Sequence, residues 1–211
     1  MYSVNKELII RSSQDAVDFA LLKDGKLIEL HKEEEKINSF AVGDIFIAKI
    51  RKPVAGLNAA FVNVGFEKDA FLHYHDLGPN LASQLKFIKL VSAGKIKDFS
   101  LKNFQFEKEI DKDGSITDII NSNQSILVQV VKEPISTKGP RISAELSLAG
   151  RYIVLVPFSD RVSISQKIEN KKEKERLKRL VQAVKPKGFG VIVRTVAEGK
   201  STVELEKDLQ N

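Results

Sequence analysis

The chain has 211 residues, 42% of them hydrophobic, enough for one large domain or two small ones with a real core. Its 34 Lys and Arg against 28 Asp and Glu leave a net charge of +6, which permits an anionic partner without demanding one. The absence of cysteine excludes a disulfide framework and thiolate metal sites. The apolar run near the N-terminus is too short for a signal peptide, and no run approaches the roughly 18 residues of a membrane span, so a soluble cytoplasmic protein is expected.

In chain order, residues 6–12 read as a first strand. Residues 18–22 and 26–30 flank Asp24-Gly25, the strongest short-range signal for a tight hairpin. Residues 32–36 are a charge cluster suited to a solvated connector. A second unit begins near Val42, with residues 44–54 as a strand ending at Pro53. Residues 57–73 then hold two short strands joined by a turn containing Gly65. Strand side chains alternate between faces. Ala60, Val62 and Val64 share one face of the first strand, and Ala59, Phe61 and Asn63 share the other. Ala70 and Leu72 share one face of the second, and Asp69, Phe71 and His73 the other. Each strand therefore has an apolar face to bury and a polar face carrying one phenylalanine. A ring on the wet face of a small sheet is what base stacking requires, because every base offers a π-face. The other reading of the same pattern is packing under a loop or against another domain.

Residues 74–124 form an excursion longer than ordinary loops, expected to be an insertion with helix of its own or mobile surface. Residues 125–131 are strongly strand-like, and 141–146 are expected to be the last strand of the unit. Five short strands with a long excursion before the fourth fit a Greek-key oligonucleotide-binding (OB) barrel. Farther on, residues 152–156 are apolar on both faces and closed by Pro157, the pattern of a buried strand. Residues 170–184 predict a helix, with Leu177, Leu180, Val181 and Val184 as its apolar stripe, Asn170 as N-cap and Pro186 as stop. Lys171, Lys172, Lys174, Lys178 and Arg179 make its wet side. Residues 189–193 predict another buried strand running into Arg194-Thr195, and Ser201 to Glu204 match a capping box.

Most motifs fail on spacing. Gly199-Lys200-Ser201 would need a glycine where Arg194 stands to be a Walker loop. Gly188-Phe189-Gly190 is a turn signal. His73, His75 and Asp76 lack a further ligand cluster, so no metal site is expected, and His73 reads as a polar contact at the edge of a binding face. No nucleophile triad or convincing carboxylate pair is visible. Two features remain. One is the wet face of Phe61, Phe71 and His73, with Lys138 in the loop at 136–139. The other is Arg194-Thr195, where a guanidinium fork beside a hydroxyl suits a terminal phosphate; an internal ion pair is the competing reading.

Three blocks, AGLNAAFVNVGFEKDAFLH (55–73), KEPISTKGPRISAELSLAGRYIVLVP (132–157) and GFGVIVRTVAEGKS (188–201), resemble the N-terminal half of the bacterial ribonuclease E/G family of endoribonucleases, in family order and at similar spacing. The first block alone would indicate only the barrel repeated in ribosomal protein S-one. The resemblance implies an α+β fold, mainly β, in which an S-one type OB-fold barrel is inserted into an incomplete ribonuclease-H-like and 5′-sensor α/β unit. The implied division is 1–39 for the ribonuclease-H-like part, 40–146 for the barrel with its insertion at 74–124, and 147–211 for the 5′-sensor. It implies RNA contacts at Phe61, Phe71, His73 and Lys138. It implies a 5′-monophosphate grip by Arg194 and Thr195, a backbone N–H from Val154, room for a first base at Gly150, and assistance from Arg161, although the loop PFSDRVSIS departs from the family's Gly-rich form.

In relatives a magnesium-dependent catalytic domain and a CxxC zinc link that joins subunits into homo-oligomers follow. Neither is within these 211 residues, so the chain reads as the front of a longer enzyme or a truncated product, with no cofactor of its own and single-stranded RNA as partner. The alternative is a stand-alone RNA-binding or ribosome-associated adaptor without nuclease activity.

Overall fold

Asp24 and Gly25 both take positive φ, 49° and 75°, the backbone a type I′ turn requires. They fold strand β2 (Ala16–Lys23) back on β3 (Lys26–Glu34), and β1 (Lys6–Ser12) pairs with the other edge of β2, giving an antiparallel sheet in the order β1-β2-β3. The computed structural model describes residues 5–13, 16–34, 40–97, 100–135 and 138–210. The chain divides into two units, Met1–Ser39 and Phe40–Asn211. The first unit is that sheet, and its apolar side chains lie open: Leu8, Ile9, Ile10, Leu27, Ile28 and Leu30 are each more than half exposed. Most of the charge cluster at 32–36 lies outside the residues whose side chains are described.

The second unit opens with a closed barrel of β4 (Ile45–Val54), β5 (Ala59–Asn63), β6 (Ala70–His73), β7 (Ser125–Lys132) and β8 (Arg141–Ser143), in the order β4-β5-β6-β8-β7. This is the Greek-key order the pattern of short strands predicts. Period-two alternation carries it: Ile50, Ala60, Val62, Ala70, Leu72, Ile126, Val128 and Ile142 point inward and are almost fully buried. Pro53 lies inside β4 rather than ending it, and β8 is three residues long where 141–146 were predicted. Ala59, assigned by parity to the wet face, is buried as well.

The excursion is structured among its described residues. It contains α1 (Leu81–Ser92) and the single turn α2 (Ile116–Ile119). Leu77, Leu81, Ile116 and Ile120 close one end of the barrel core. Polar latches hold it there. Asn58, in left-handed conformation, donates to the Gly114 carbonyl at 3.0 Å and accepts from Ile116 N–H at 2.7 Å. Tyr74 Oη donates to the Asp111 carbonyl at 2.6 Å, and burial pushes its phenol above the ordinary value. The buried Gln84 amide spans Ala144 O and Leu127 N–H.

Beyond the barrel, β9 (Leu148–Ala149), β10 (Ile153–Pro157), β11 (Val162–Ile164) and β12 (Phe189–Val193) form a sheet in the order β11-β12-β10-β9, with only β11–β12 parallel. Helices α3 (Lys171–Val184) and α4 (Thr202–Gln210) cover one face. The helix signals hold: Asn170 Oδ1 caps the N–H groups of Lys172 and Glu173, Leu177 and Val181 are fully buried, and Ser201 and Glu204 exchange capping-box bonds. The expectation of strands buried on both faces does not hold. Ile153, Val191 and Val193 face the helices, whereas Ile192 is 44% exposed and Val154 half-buried, because both helices lie on the same side. Phe158 joins this sheet to the excursion, its ring packed edge-on to Phe87 and Phe104. Its φ of 61° is strained for an aromatic residue, and the packing holds it.

The barrel closes at a short seam. Strands β6 and β8 share one register pair, Phe71 with Arg141, and Phe71 N–H donates to the Pro140 carbonyl at 3.2 Å. Asp76 reinforces it: its carbonyl accepts from Ala144 N–H at 2.8 Å and Ser143 Oγ at 2.9 Å, and its carboxylate takes the Arg141 guanidinium at 2.9 Å. Asp76→Ala removes only the side-chain half of this clamp. We expect a loss of about 1–2 kcal/mol, given the half-exposed arginine, read as a lower urea midpoint at constant slope. An unchanged midpoint would mean that the main-chain bonds close the barrel unaided.

Candidate nucleic-acid interface

The register across the barrel puts Phe61 and Phe71 directly opposite one another on β5 and β6, with ring centroids 6.1 Å apart at 69°. Phe61 is 37% exposed and Phe71 half-buried. His73 continues the file 6.5 Å from Phe71, and the exposed His75 follows 5.1 Å farther. His73 Nδ1 accepts the His75 N–H at 3.2 Å, so that ring nitrogen is already engaged. Lys138 is exposed and lies two residues before Pro140, whose carbonyl Phe71 bonds. Its neighbour Gly139 packs so closely on the Asp69 carbonyl that a Cβ there would collide, which holds the loop against the start of β6. Phe61, Phe71 and His73 are thus brought together, with Lys138 exposed two residues before the strand contact at Pro140.

Three further residues, passed over in the sequence, join this surface. Lys52 stands opposite Phe61, Arg141 beside Phe71, and Lys132 opposite Arg141, so one rung of side chains crosses all five strands. Lys52 is two residues past the inward Ile50, and Lys132 two past the inward Val130, so plain alternation would bury both. A register shift after Ile50 and another after Val130 turn the two lysines outward. The aromatic pair is thereby flanked by cations. Arg141 is committed to Asp76, while Lys52 and Lys132 enter no ion pair among the described residues.

The second predicted constellation lies where β12 ends. The exposed Arg194 donates from Nη1 to the Gly150 carbonyl at 2.8 Å, so its partner is a carbonyl and not an acid. Thr195 Oγ1 lies 3.0 Å from Ser165 Oγ, and Ser165 N–H donates to Val193 O, so Ser165 joins the pair although sequence reasoning passed over it. Arg194 N–H bonds Tyr152 O, and antiparallel alternation then turns the Val154 N–H into the ladder opposite Ile192 rather than toward solvent. Gly150 leaves its Cβ direction to Asp208: a Cβ there would sit 2.6 Å from Asp208 Oδ2, so that space is filled rather than open. Arg161 is not part of this group. It precedes β11, about 13 Å back along the strands from Arg194, and it pairs with Glu109 at 2.7 Å.

Two carboxylates shape the loops beside Arg194. Asp208 on α4 accepts the consecutive N–H groups of Arg151, Tyr152 and Ile153 at 2.9, 2.8 and 3.0 Å, and so fixes the turn whose Gly150 carbonyl receives Arg194. The contact spans 55–57 residues, and no local signal announces it. Glu173 on α3 binds Arg176 and the Gly199 N–H, and Arg176 also donates to Lys200 O, which pins the loop after Thr195. Arg176 and the Gly199 N–H hold the Glu173 carboxyl down from 4.5 to about 2.

Among the described residues no three His, Asp or Glu side chains gather to hold a metal ion. No helix among these residues is long and apolar enough to cross a membrane.

Barrel order and exposed rung together define an OB-fold protein. Residues 147–211 match the Ribonuclease E/G family. The chain is 33% identical to a ribonuclease G of Escherichia coli over 202 residues, 96% of its length, and 33% identical to a ribonuclease G of Haemophilus influenzae over 204 residues, 97% of its length. Over 170 residues, 80% of its length, it is 36% identical to a ribonuclease E of Nostoc sp.. It spans 37%, 38% and 21% of those three proteins. The chain belongs to the ribonuclease E/G family.

Two outcomes test the clamps. Asp208→Ala leaves three N–H groups without their acceptor and is expected to cost about 1–3 kcal/mol, lowering the thermal midpoint; an unchanged midpoint would show that water replaces the carboxylate without loss. Because the folded Glu173 pKa is depressed, its contribution is complete above about pH 4.5 and is lost as pH falls through about 2. Glu173→Gln should therefore flatten part of the acid limb of a stability–pH curve in that window, and an unaltered limb would count against the pairing.

Proposed function

We propose that this chain is the RNA-holding portion of a magnesium-dependent endoribonuclease, binding single-stranded RNA on the barrel and engaging a 5′-monophosphate at Arg194-Thr195. The observation that carries the reading is the rung that sets Phe61 and Phe71 between Lys52 and Lys132, with Lys138 nearby. Aromatic faces offer sequence-tolerant stacking, and unpaired lysines offer phosphate contacts. His73 adds a polar edge. A 5′-monophosphate would draw the Arg194 guanidinium from the Gly150 carbonyl and take the Thr195 and Ser165 hydroxyls as donors. The Val154 and Ile192 side chains, on the sheet face away from the helices, would border the first nucleotide in place of a free Val154 N–H. A triphosphate end is bulkier and more highly charged than a grip built on one guanidinium and two hydroxyls.

The family names of the relatives support RNA as the substrate class. The division into 1–39, 40–146 and 147–211 is part of the same proposal, with the first segment as the incomplete ribonuclease-H-like piece. So are homo-oligomerisation of the whole enzyme and a cytoplasmic place. The contribution to cleavage is positional: a strand held at its 5′ end and along the barrel is presented to the cutting site at high effective concentration.

Phe61→Ala should weaken binding of a short single-stranded RNA by about 1–3 kcal/mol in a fluorescence-anisotropy titration. Equal affinity would remove the stacking role. Arg194→Ala should erase the preference for 5′-monophosphate over 5′-hydroxyl RNA while leaving affinity for the 5′-hydroxyl strand intact; a surviving preference would move the phosphate site elsewhere.

A further inference from the structure

The excursion between the third and fourth barrel strands is basic in its middle and acidic in the stretch that follows. Residues 86–106 carry Lys86, Lys89, Lys95, Lys97 and Lys102 against the single acid Asp98. The last turns of α1 and the chain after it form an open groove of about 530 Å³, lined in part by Lys86, Lys95, Lys97, Asn103, Phe104 and Gln105. No described residue lining it is acidic. Its wall is firm: Phe104 is fixed edge-on against Phe87 at 5.6 Å and Phe158 at 6.2 Å. Lys86 lies over the Phe104 ring and is neutralised by Glu107 at 2.6 Å. Lys95 and Lys97 are exposed, and their ammonium groups enter no ion pair among the described residues.

We propose that this groove is a second contact for single-stranded RNA, taking the phosphate backbone of the strand that the barrel holds; it rests on the RNA-binding reading above. Two like charges two residues apart repel each other, and a polyanion running past both relieves that repulsion while releasing counterions. The amides of Asn103 and Gln105 supply donors to phosphate oxygens and partners to 2′-hydroxyls. The concavity argues against a bilayer, which cannot follow lysines into a groove.

The test is a salt titration of binding by the whole chain to a 5′-hydroxyl oligouridylate, which bypasses the phosphate grip at Arg194. Lys95→Ala/Lys97→Ala should reduce the magnitude of the log–log salt slope by about 1.4, at about 0.7 per lost single-strand phosphate contact. Lys178→Ala/Arg179→Ala, which removes the same charge from the wet face of α3, should leave the slope unchanged. An unchanged slope in the Lys95/Lys97 variant overturns the proposal, and so does an equal fall in the α3 variant, which would report net charge alone. Lost binding to phosphatidylserine vesicles with an intact RNA slope would assign the groove to lipid and overturn it as well. If RNA binding depends on Phe61 but not on these lysines, the barrel reading stands and this one falls; a wild-type chain that binds no RNA overturns both.

Discussion

The exposed aromatic and cationic rung of the barrel depends on a seam one register pair wide. Strands β6 and β8 meet only at Phe71 and Arg141, and a parallel contact that short is weak by itself. Asp76 makes it hold by using both ends of one residue, a carbonyl for Ser143 and Ala144 and a carboxylate for Arg141. The same bond that closes the barrel removes Arg141 from the pool of free cations. The charge available beside the aromatic pair is therefore carried by Lys52 and Lys132. Closure of the barrel and the charge left free on its exposed rung are coupled through a single guanidinium.

The sheet that follows is organised on a similar economy. Its helices cover one face, so the other face, with Val154 and Ile192, stays accessible next to Arg194. Carboxylates from the two covering helices reach around to the ends of the strands. Asp208 collects three adjacent N–H groups, and Glu173 holds the loop beyond Thr195. These groups carry no exposed function, yet they set where the Gly150 carbonyl and the Thr195 hydroxyl lie. An arginine hydrogen-bonded to a carbonyl is also more readily recruited by a phosphate than one already paired with an acid, since the stronger acceptor is still to come.

Local chemistry was legible wherever a signal spans a few residues. Asp24-Gly25 announced its turn, Asn170 and the Ser201–Glu204 box announced two helix starts, and alternation announced the inward faces of β5 and β6. Phe61, Phe71 and His73 could be placed on one wet surface for the same reason. The signal failed at bulges. One extra residue near Arg51 and another near Val131 reverse parity, so Lys52 and Lys132 read as inward and stand outward. It failed also at the depth of the third segment, where apolar composition suggested strands covered twice.

What the sequence by itself determined is most of the strands and the two C-terminal helices, the oligonucleotide-binding order of short strands, and the residue types presented on each face between bulges, because these follow from backbone preference and side-chain period. Only the tertiary structure decided which of those residues meet. It joined Asp208 to a turn more than fifty residues away, gave Thr195 its neighbour Ser165, carried Arg161 off to Glu109, and folded the lysine-rich middle of the excursion into a groove. Those outcomes depend on packing between segments distant in sequence and on single-residue shifts of register, and no periodicity within one segment encodes either.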